Sequence, residues 1–237
     1  MADRLYFRQL LAGRDFARHD PLARQMVNFV YLVGDRETRE AVAVDPAYAP
    51  GELVEILEED GMRLTGALAT HYHPDHVGGD LFGHHVAGIA ELLEHTDVPI
   101  WVQRDETAFV SAATGAGPDA LTPLEPGARV EVGEVSIECI HTPGHTPGSQ
   151  CFLVDGRLIA GDTLFLEGCG RTDLPGGDPE QMYESLFGRL ARISDDTVLY
   201  PGHLYAPEPS AALGDTRRTN YVLAPRSPAD WLAMFGS

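Results

Sequence analysis

The run His71-Tyr72-His73-Pro74-Asp75-His76 constrains this chain more than any other feature. Three imidazoles and a carboxylate within six residues are costly to bury without a cation. In extended backbone, side chains at i and i+2 point the same way, so His71 and His73 can grip one ion. Pro74 fixes its own φ and biases His73 to extended geometry. The chain then turns, and Asp75 and His76 can face a second ion. Val77-Gly78-Gly79 follows, where glycine lets backbone crowd close.

Further ligands are expected where strands end. Thr142-Pro143-Gly144-His145-Thr146-Pro147-Gly148 is a tight loop around one histidine. Ala160-Gly161-Asp162-Thr163 closes one apolar run with an aspartate, and Tyr200-Pro201-Gly202-His203 closes another with a histidine. The remaining histidines, His19, His84, His85, His95 and His141, read as ordinary surface residues. Cys169 reads as an ordinary loop cysteine, since no base is placed beside it.

Apolar patterning predicts paired strands over 27–33 and 41–44 and a helix over 52–59. It predicts a buried strand over 64–70 that runs into the histidine cluster. Helices over 89–93, 105–113 and 179–193 and strands over 99–102, 129–132, 135–140, 150–154, 157–160 and 198–200 complete the reading. Strands in runs with helices inserted predict two packed sheets with helices outside. No linker divides residues 1–237, so one domain is expected. The stretch 84–122 reads as a lid or substrate-selecting insertion.

The net charge is −19, and all 17 basic residues are arginine. Such an acidic chain is not expected to bind nucleic acid or an anionic membrane. No run approaches 18 consecutive apolar residues, and Met1 to Arg4 lead into no signal-peptide core. Three cysteines suggest no disulfide framework. A cytoplasmic location is the expectation. Oligomeric state is left open, a dimer included.

In this order, His-x-His-x-Asp-His, Pro-Gly-His, Gly-Asp-Thr and Pro-Gly-His resemble the metallo-β-lactamase-fold hydrolase superfamily, from about Phe29 to His203. The resemblance implies an αββα sandwich of two mixed sheets, with a site at one edge. It implies one metal site of His71, His73 and His145, a second of Asp75, His76 and His203, and Asp162 bridging the two. Two zinc ions, two aspartates and a bridging hydroxide would leave a centre of about +1. With Asp75 and Asp162 as catalytic carboxylates, the hydroxide would attack a carbonyl.

Gly168-Cys169-Gly170-Arg171-Thr172-Asp173-Leu174-Pro175-Gly176-Gly177-Asp178 is similar to the glyoxalase II-like hydrolases. Its Cys-Gly-Arg-Thr-Asp part also resembles the persulfide dioxygenases, which use one iron. Both families act on thiol derivatives, and Arg171 and Tyr205 match positions near the thiol substrate. A salt bridge from Arg171 to Asp173 or Asp178 is the plainer expectation for that arginine. After His203 the basic residues are Arg217, Arg218 and Arg226, so the basic grip that glyoxalase II places on glutathione does not carry over. The leading expectation is a two-zinc hydrolase of a small thioester or activated ester. The alternatives are a one-iron persulfide dioxygenase, then a lactonase, then a non-enzymatic metal-binding protein.

Overall fold

A computed structural model describes residues 4–225 and 227–235; Arg226 lies outside them. The first half of the chain runs β1 (Leu5–Leu11), α1 (Pro21–Met26), β2 (Phe29–Asp35), β3 (Glu40–Val44), α2 (Pro50–Glu59), β4 (Arg63–Leu68) and α3 (Pro74–Val77). It continues through the small hairpin β5 (Gly79–Leu81) and β6 (His84–Val86), then α4 (Ile89–His95), β7 (Ile100–Gln103), α5 (Thr107–Thr114) and β8 (Leu121–Leu124). The second half runs β9 (Arg129–Val132), β10 (Val135–His141), β11 (Gln150–Val154), β12 (Arg157–Gly161), α6 (Pro179–Glu184), β13 (Val198–Pro201), β14 (Ala211–Ala212), α7 (Leu213–Thr219) and α8 (Pro228–Phe235).

Two six-stranded mixed sheets form, ordered β1-β2-β3-β4-β7-β8 and β14-β13-β12-β11-β10-β9. Strand alternation dictates how they stack. Along β2, Phe29, Tyr31 and Val33 face β9–β12 residues Val130, Ile137 and Phe152, while Val30 and Leu32 face Leu53, Leu57 and Leu92 of the helices. Every residue of β2 is therefore buried, as expected of a strand covered on both faces. On the far side of the second sheet, Leu158, Ala160 and Leu199 pack on Met182, Leu186, Leu190 and Trp231. The result is the αββα sandwich.

The predicted pairing of the second and third strands is present, with Val33 opposite Val42. So is the hairpin closed by Asp155-Gly156, which pairs Val154 with Arg157. Both turn residues have positive φ, 43° and 70°, as the tight hairpin turn requires. Two differences stand beside these. β1 is hidden in the sequence by Arg8 and Gln9, which an edge strand tolerates because one side lacks a neighbour. Arg8 reaches Asp60 at 2.6 Å, and Gln9 reaches the Tyr31 hydroxyl at 3.1 Å. The helix over 179–193 stays α-helical only to Glu184, then widens to a π-turn over Ser185–Arg189 and tightens to 3₁₀ over Leu190–Arg192. The strand expected over 99–102 is present as β7, and it and β8 belong to the first sheet. Among the described residues, no helix is long and apolar enough to cross a membrane.

Candidate metal centre

Strands of both sheets end at one edge and deliver the cluster there. β4 runs into Thr70 and His71, and parallel β12 and β13 run into Asp162 and His203. The loop joining β10 to β11 brings His145. The edges are stitched by backbone: Gln150 N–H donates to Thr70 O at 2.9 Å, and Phe29 N–H to Gly202 O at 2.8 Å. Pro74 opens α3, where proline's missing N–H costs nothing, and its single turn presents Asp75 and His76 inward. Gly202 is required: a Cβ there would stand 2.4 Å from Asp162 Oδ1.

All seven sequence-predicted ligands meet. His71, His73 and His145 form one group, and Asp75, His76 and His203 a second. In the first, His73 Nδ1 stands 3.1 Å from His71 Nε2 and 3.0 Å from His145 Nε2. In the second, the three donor atoms stand 3.2, 3.5 and 3.6 Å apart. Asp162 lies between the groups, with Oδ2 3.7 Å from His145 Nε2 and 3.4 Å from His203 Nε2, and Oδ1 3.4 Å from His76 Nε2.

The imidazoles are held so that lone pairs converge. His145 Nδ1 donates to Arg171 O at 2.7 Å, and His203 Nδ1 donates to Met26 O at 2.8 Å. His76 Nδ1 donates to Asp45 Oδ2 at 2.9 Å. The Thr70 hydroxyl donates to Asp45 at 2.7 Å, so its oxygen accepts from His71 Nδ1 at 3.0 Å. Four rings therefore turn Nε2 inward, the orientation that metal-binding histidines need. Asp45 serves two of them, and sequence reasoning missed it. Its only sequence signal was an aspartate closing an apolar run, and in the fold it sits at a φ of 56°.

The residues fit a cation on this structure's own terms. Lone pairs about 3 Å apart repel unless a proton or cation lies between them, and ligands about 2.0–2.2 Å from one ion are spaced much like this. Asp162 Oδ1 is buried with no hydrogen-bond partner among the described residues. Charge agrees. Burial and neighbouring imidazoles push His71 well below the usual histidine range and His73 down to about 4. Burial also works against charge on His76, but Asp75, Asp162 and Asp45 outweigh it and raise His76 to about 10. The second group thus draws in positive charge that a bound cation replaces.

The model of the metallo-beta-lactamase superfamily matches residues 24–203. The chain belongs to that superfamily. Within it, the chain is 33% identical over 207 residues to human mitochondrial persulfide dioxygenase ETHE1, covering 84% of this chain and 74% of that protein. It is 39% identical over 179 residues to the hydroxyacylglutathione hydrolase of Alkalilimnicola ehrlichii, covering 75% of this chain and 62% of that one. The solved structure of TTHA1623 in a di-iron-bound form superposes with a TM-score of 0.67 at 31% identity, over 83% of this chain and 95% of that one. These relatives bear out the glyoxalase II-like and persulfide dioxygenase-like resemblance.

In this superfamily member a cavity of about 560 Å³ opens over both groups. Apolar side chains form much of its wall, among them Leu81, Phe82, Phe165, Leu174 and Tyr221. Tyr205 and Arg171 line it as well. Tyr205 stacks flat on the His203 ring, 4.6 Å between centroids. The Arg171 guanidinium points outward and forks onto Asp173 at 2.7 and 2.9 Å, so the plainer expectation for its side chain holds. Its backbone carbonyl, by contrast, orients His145. Cys169 also lines the cavity, but burial pushes its thiol up to about 12 and leaves it a poor nucleophile. Glu106 was missed too: its Oε1 accepts from Gly148 N–H at 2.7 Å and braces the His145 loop.

Proposed function

We propose that this chain is a metal-dependent hydrolase of small thioesters or related activated esters. The observation that carries the reading is the pairing of two ligand groups around one carboxylate, Asp162, whose Oδ1 accepts no hydrogen bond among the described residues. His71, His73 and His145 would hold one zinc ion, Asp75, His76 and His203 a second, and Asp162 would touch both. Two such cations would supply an activated water and polarise a carbonyl. The protein's own contribution is orientation. Asp45 and Thr70 fix two rings, and the Arg171 and Met26 carbonyls fix two more. Asp75 and Asp162 supply the negative charge that offsets the cations. Tyr205 and the apolar wall would seat the acyl or thiol part, with Arg171 at the rim.

The cavity's size suits a small molecule, and the net charge of −19 argues against nucleic acid or an anionic membrane as partner. We place the chain in the cytoplasm as one domain. The stretch 84–122 would select substrate through the parts outside the sheet: Phe109 of α5 stacks on Tyr72, between two candidate ligands, at 5.0 Å.

A one-iron persulfide dioxygenase is the second reading, favoured by the identity to ETHE1. Metal analysis of the purified protein, with parallel assays, separates them. The lead expects two zinc ions per chain and thioester turnover. One iron per chain, with oxygen consumed in the presence of a persulfide and no thioester turnover, overturns it.

A further inference from the structure

One polar side chain at the centre belongs to neither ligand group and was not singled out in the sequence. Asn28, 1% exposed, precedes β2. Its Nδ2 stands 3.1 Å from Asp75 Oδ2, 3.3 Å from His76 Nε2 and 3.5 Å from His203 Nε2. Being nearly equidistant from all three donor atoms of the second group, it lies over the middle of their triangle. Its position is not adjustable by backbone. Asn28 pairs with His203 in an isolated antiparallel bridge, Phe29 N–H donates to Gly202 O, and Ala12 N–H donates to Asn28 O. At the other end of the amide, the buried Tyr48 hydroxyl donates to Oδ1 at 2.9 Å.

An amide –NH₂ aimed at the triangle suits an anion-rich site and opposes a cation. A half-turn of the side-chain amide exchanges its nitrogen and oxygen. A hydroxyl can donate or accept, so Tyr48 can receive Nδ2–H after the exchange as readily as it gives its own proton before it. The site then has two satisfied states, differing only by that half-turn and by rotation of one hydroxyl.

We propose that Asn28 is an additional ligand and gatekeeper of the second metal position. Without a cation its Nδ2 donates to Asp75; with a cation it turns Oδ1 inward, and Tyr48 changes from donor to acceptor. The second position then gains an oxygen ligand beside that of Asp75, which suits a divalent cation taking mixed nitrogen and oxygen ligands. This inference rests on the two-metal reading above.

The test is zinc titration of the metal-stripped full chain by calorimetry, with bound zinc counted after desalting. Wild type, Asn28→Leu, Asn28→Asp and Tyr48→Phe are compared. Asn28→Leu keeps volume and removes both polar atoms. It is expected to bind the first zinc as wild type does and the second roughly 10–100-fold more weakly, the usual cost of a lost supporting group. Asn28→Asp restores an oxygen and adds charge, so it is expected to bind the second zinc at least as tightly as wild type. Tyr48→Phe, which loses the partner for the turned amide, is expected to fall between wild type and Asn28→Leu. In ¹⁵N spectra the Asn28 side-chain amide signals of wild type are expected to move on the second equivalent of zinc, not the first. Unaltered second-site affinity in folded Asn28→Leu overturns the proposal alone, as does weakened second-site binding in Asn28→Asp. Saturation of wild type at one equivalent overturns both this proposal and the two-metal reading.

Discussion

Asp35 and Asp162 are carboxylates that end or follow an interior strand of their sheets, and their surroundings differ in kind. Asp35, with no exposed surface, accepts from Glu37 N–H at 2.8 Å, Glu134 N–H at 2.9 Å and Arg4 Nε at 2.9 Å. The protein supplies every partner, and the bonds tie the β2–β3 turn to the β9–β10 turn across the sandwich. Asp162 has a side chain 11% exposed and meets inward-facing ring nitrogens of His76, His145 and His203. One carboxylate is satisfied by the fold. The other is left for something the fold does not contain. A buried charge with a full set of protein donors is structural, and one short of donors among converging lone pairs is a site.

The largest expected effect lies at the unsatisfied carboxylate. Asp162→Asn keeps shape and removes the charge that would offset the two proposed cations, which would repel strongly in a site of low dielectric. We expect the loss of one metal equivalent and at least a ~100-fold fall in hydrolysis, beyond what loss of a supporting group brings. Elemental analysis and thioester kinetics check this. Unchanged metal stoichiometry would remove Asp162 from between the two positions.

Asp45 tests whether the contrast extends one layer out. It accepts from Thr70 N–H and Thr70 Oγ1–H at 2.7 Å each and from His76 Nδ1–H at 2.9 Å, so it holds a ring from each ligand group. Asp45→Asn is expected to weaken metal binding by roughly 10–100-fold, measured by competition with a coloured chelator. Wild-type affinity in this variant would show that the rings orient themselves.

Legibility followed chemistry rather than position. His71, His73, Asp75 and His76 were readable because imidazoles and a carboxylate at such spacing have few other uses, and His145, Asp162 and His203 were readable through the resemblance of their motifs to the superfamily. The sheets were readable because β2, β3 and β10–β12 carry dense apolar runs. Asp45, Thr70, Asn28 and Glu106 were not. Each is a common polar residue at a strand end or helix start, and its role exists only once separated strands meet, as with Asn28 and His203, 175 residues apart. β1 was hidden for the opposite reason: its polar residues find partners only through the tertiary fold.

Asp35→Asn should separate stability from metal. Removing the charge weakens three hydrogen bonds, of which the one from Glu134 N–H joins the two turns, and we expect Tm to fall by roughly 5 °C, with metal content unchanged. Calorimetry and elemental analysis on the same sample check it. A parallel loss of metal would mean that the two carboxylates are not independent.

The smallest expected effect is the acid dependence of that difference. Burial by itself would raise the Asp35 pKa, but the Glu134 and Glu37 amides and Arg4 outweigh it and hold the pKa at about 2. An unfolded aspartate titrates at about 3.9. The folded pKa is the lower one, so the stabilisation is fully present above about pH 4 and is lost as pH falls towards 2. Asp35→Asn has no such proton to take up. The Tm gap between wild type and Asp35→Asn should therefore be constant from pH 7 to 5 and narrow below pH 4. Melts are best recorded with chelator present, so that the metal centre's own protons do not enter. A gap that stays constant down to pH 3 would mean that Asp35 is held by shape rather than by charge, and the contrast with Asp162 would then rest on hydrogen-bond count alone.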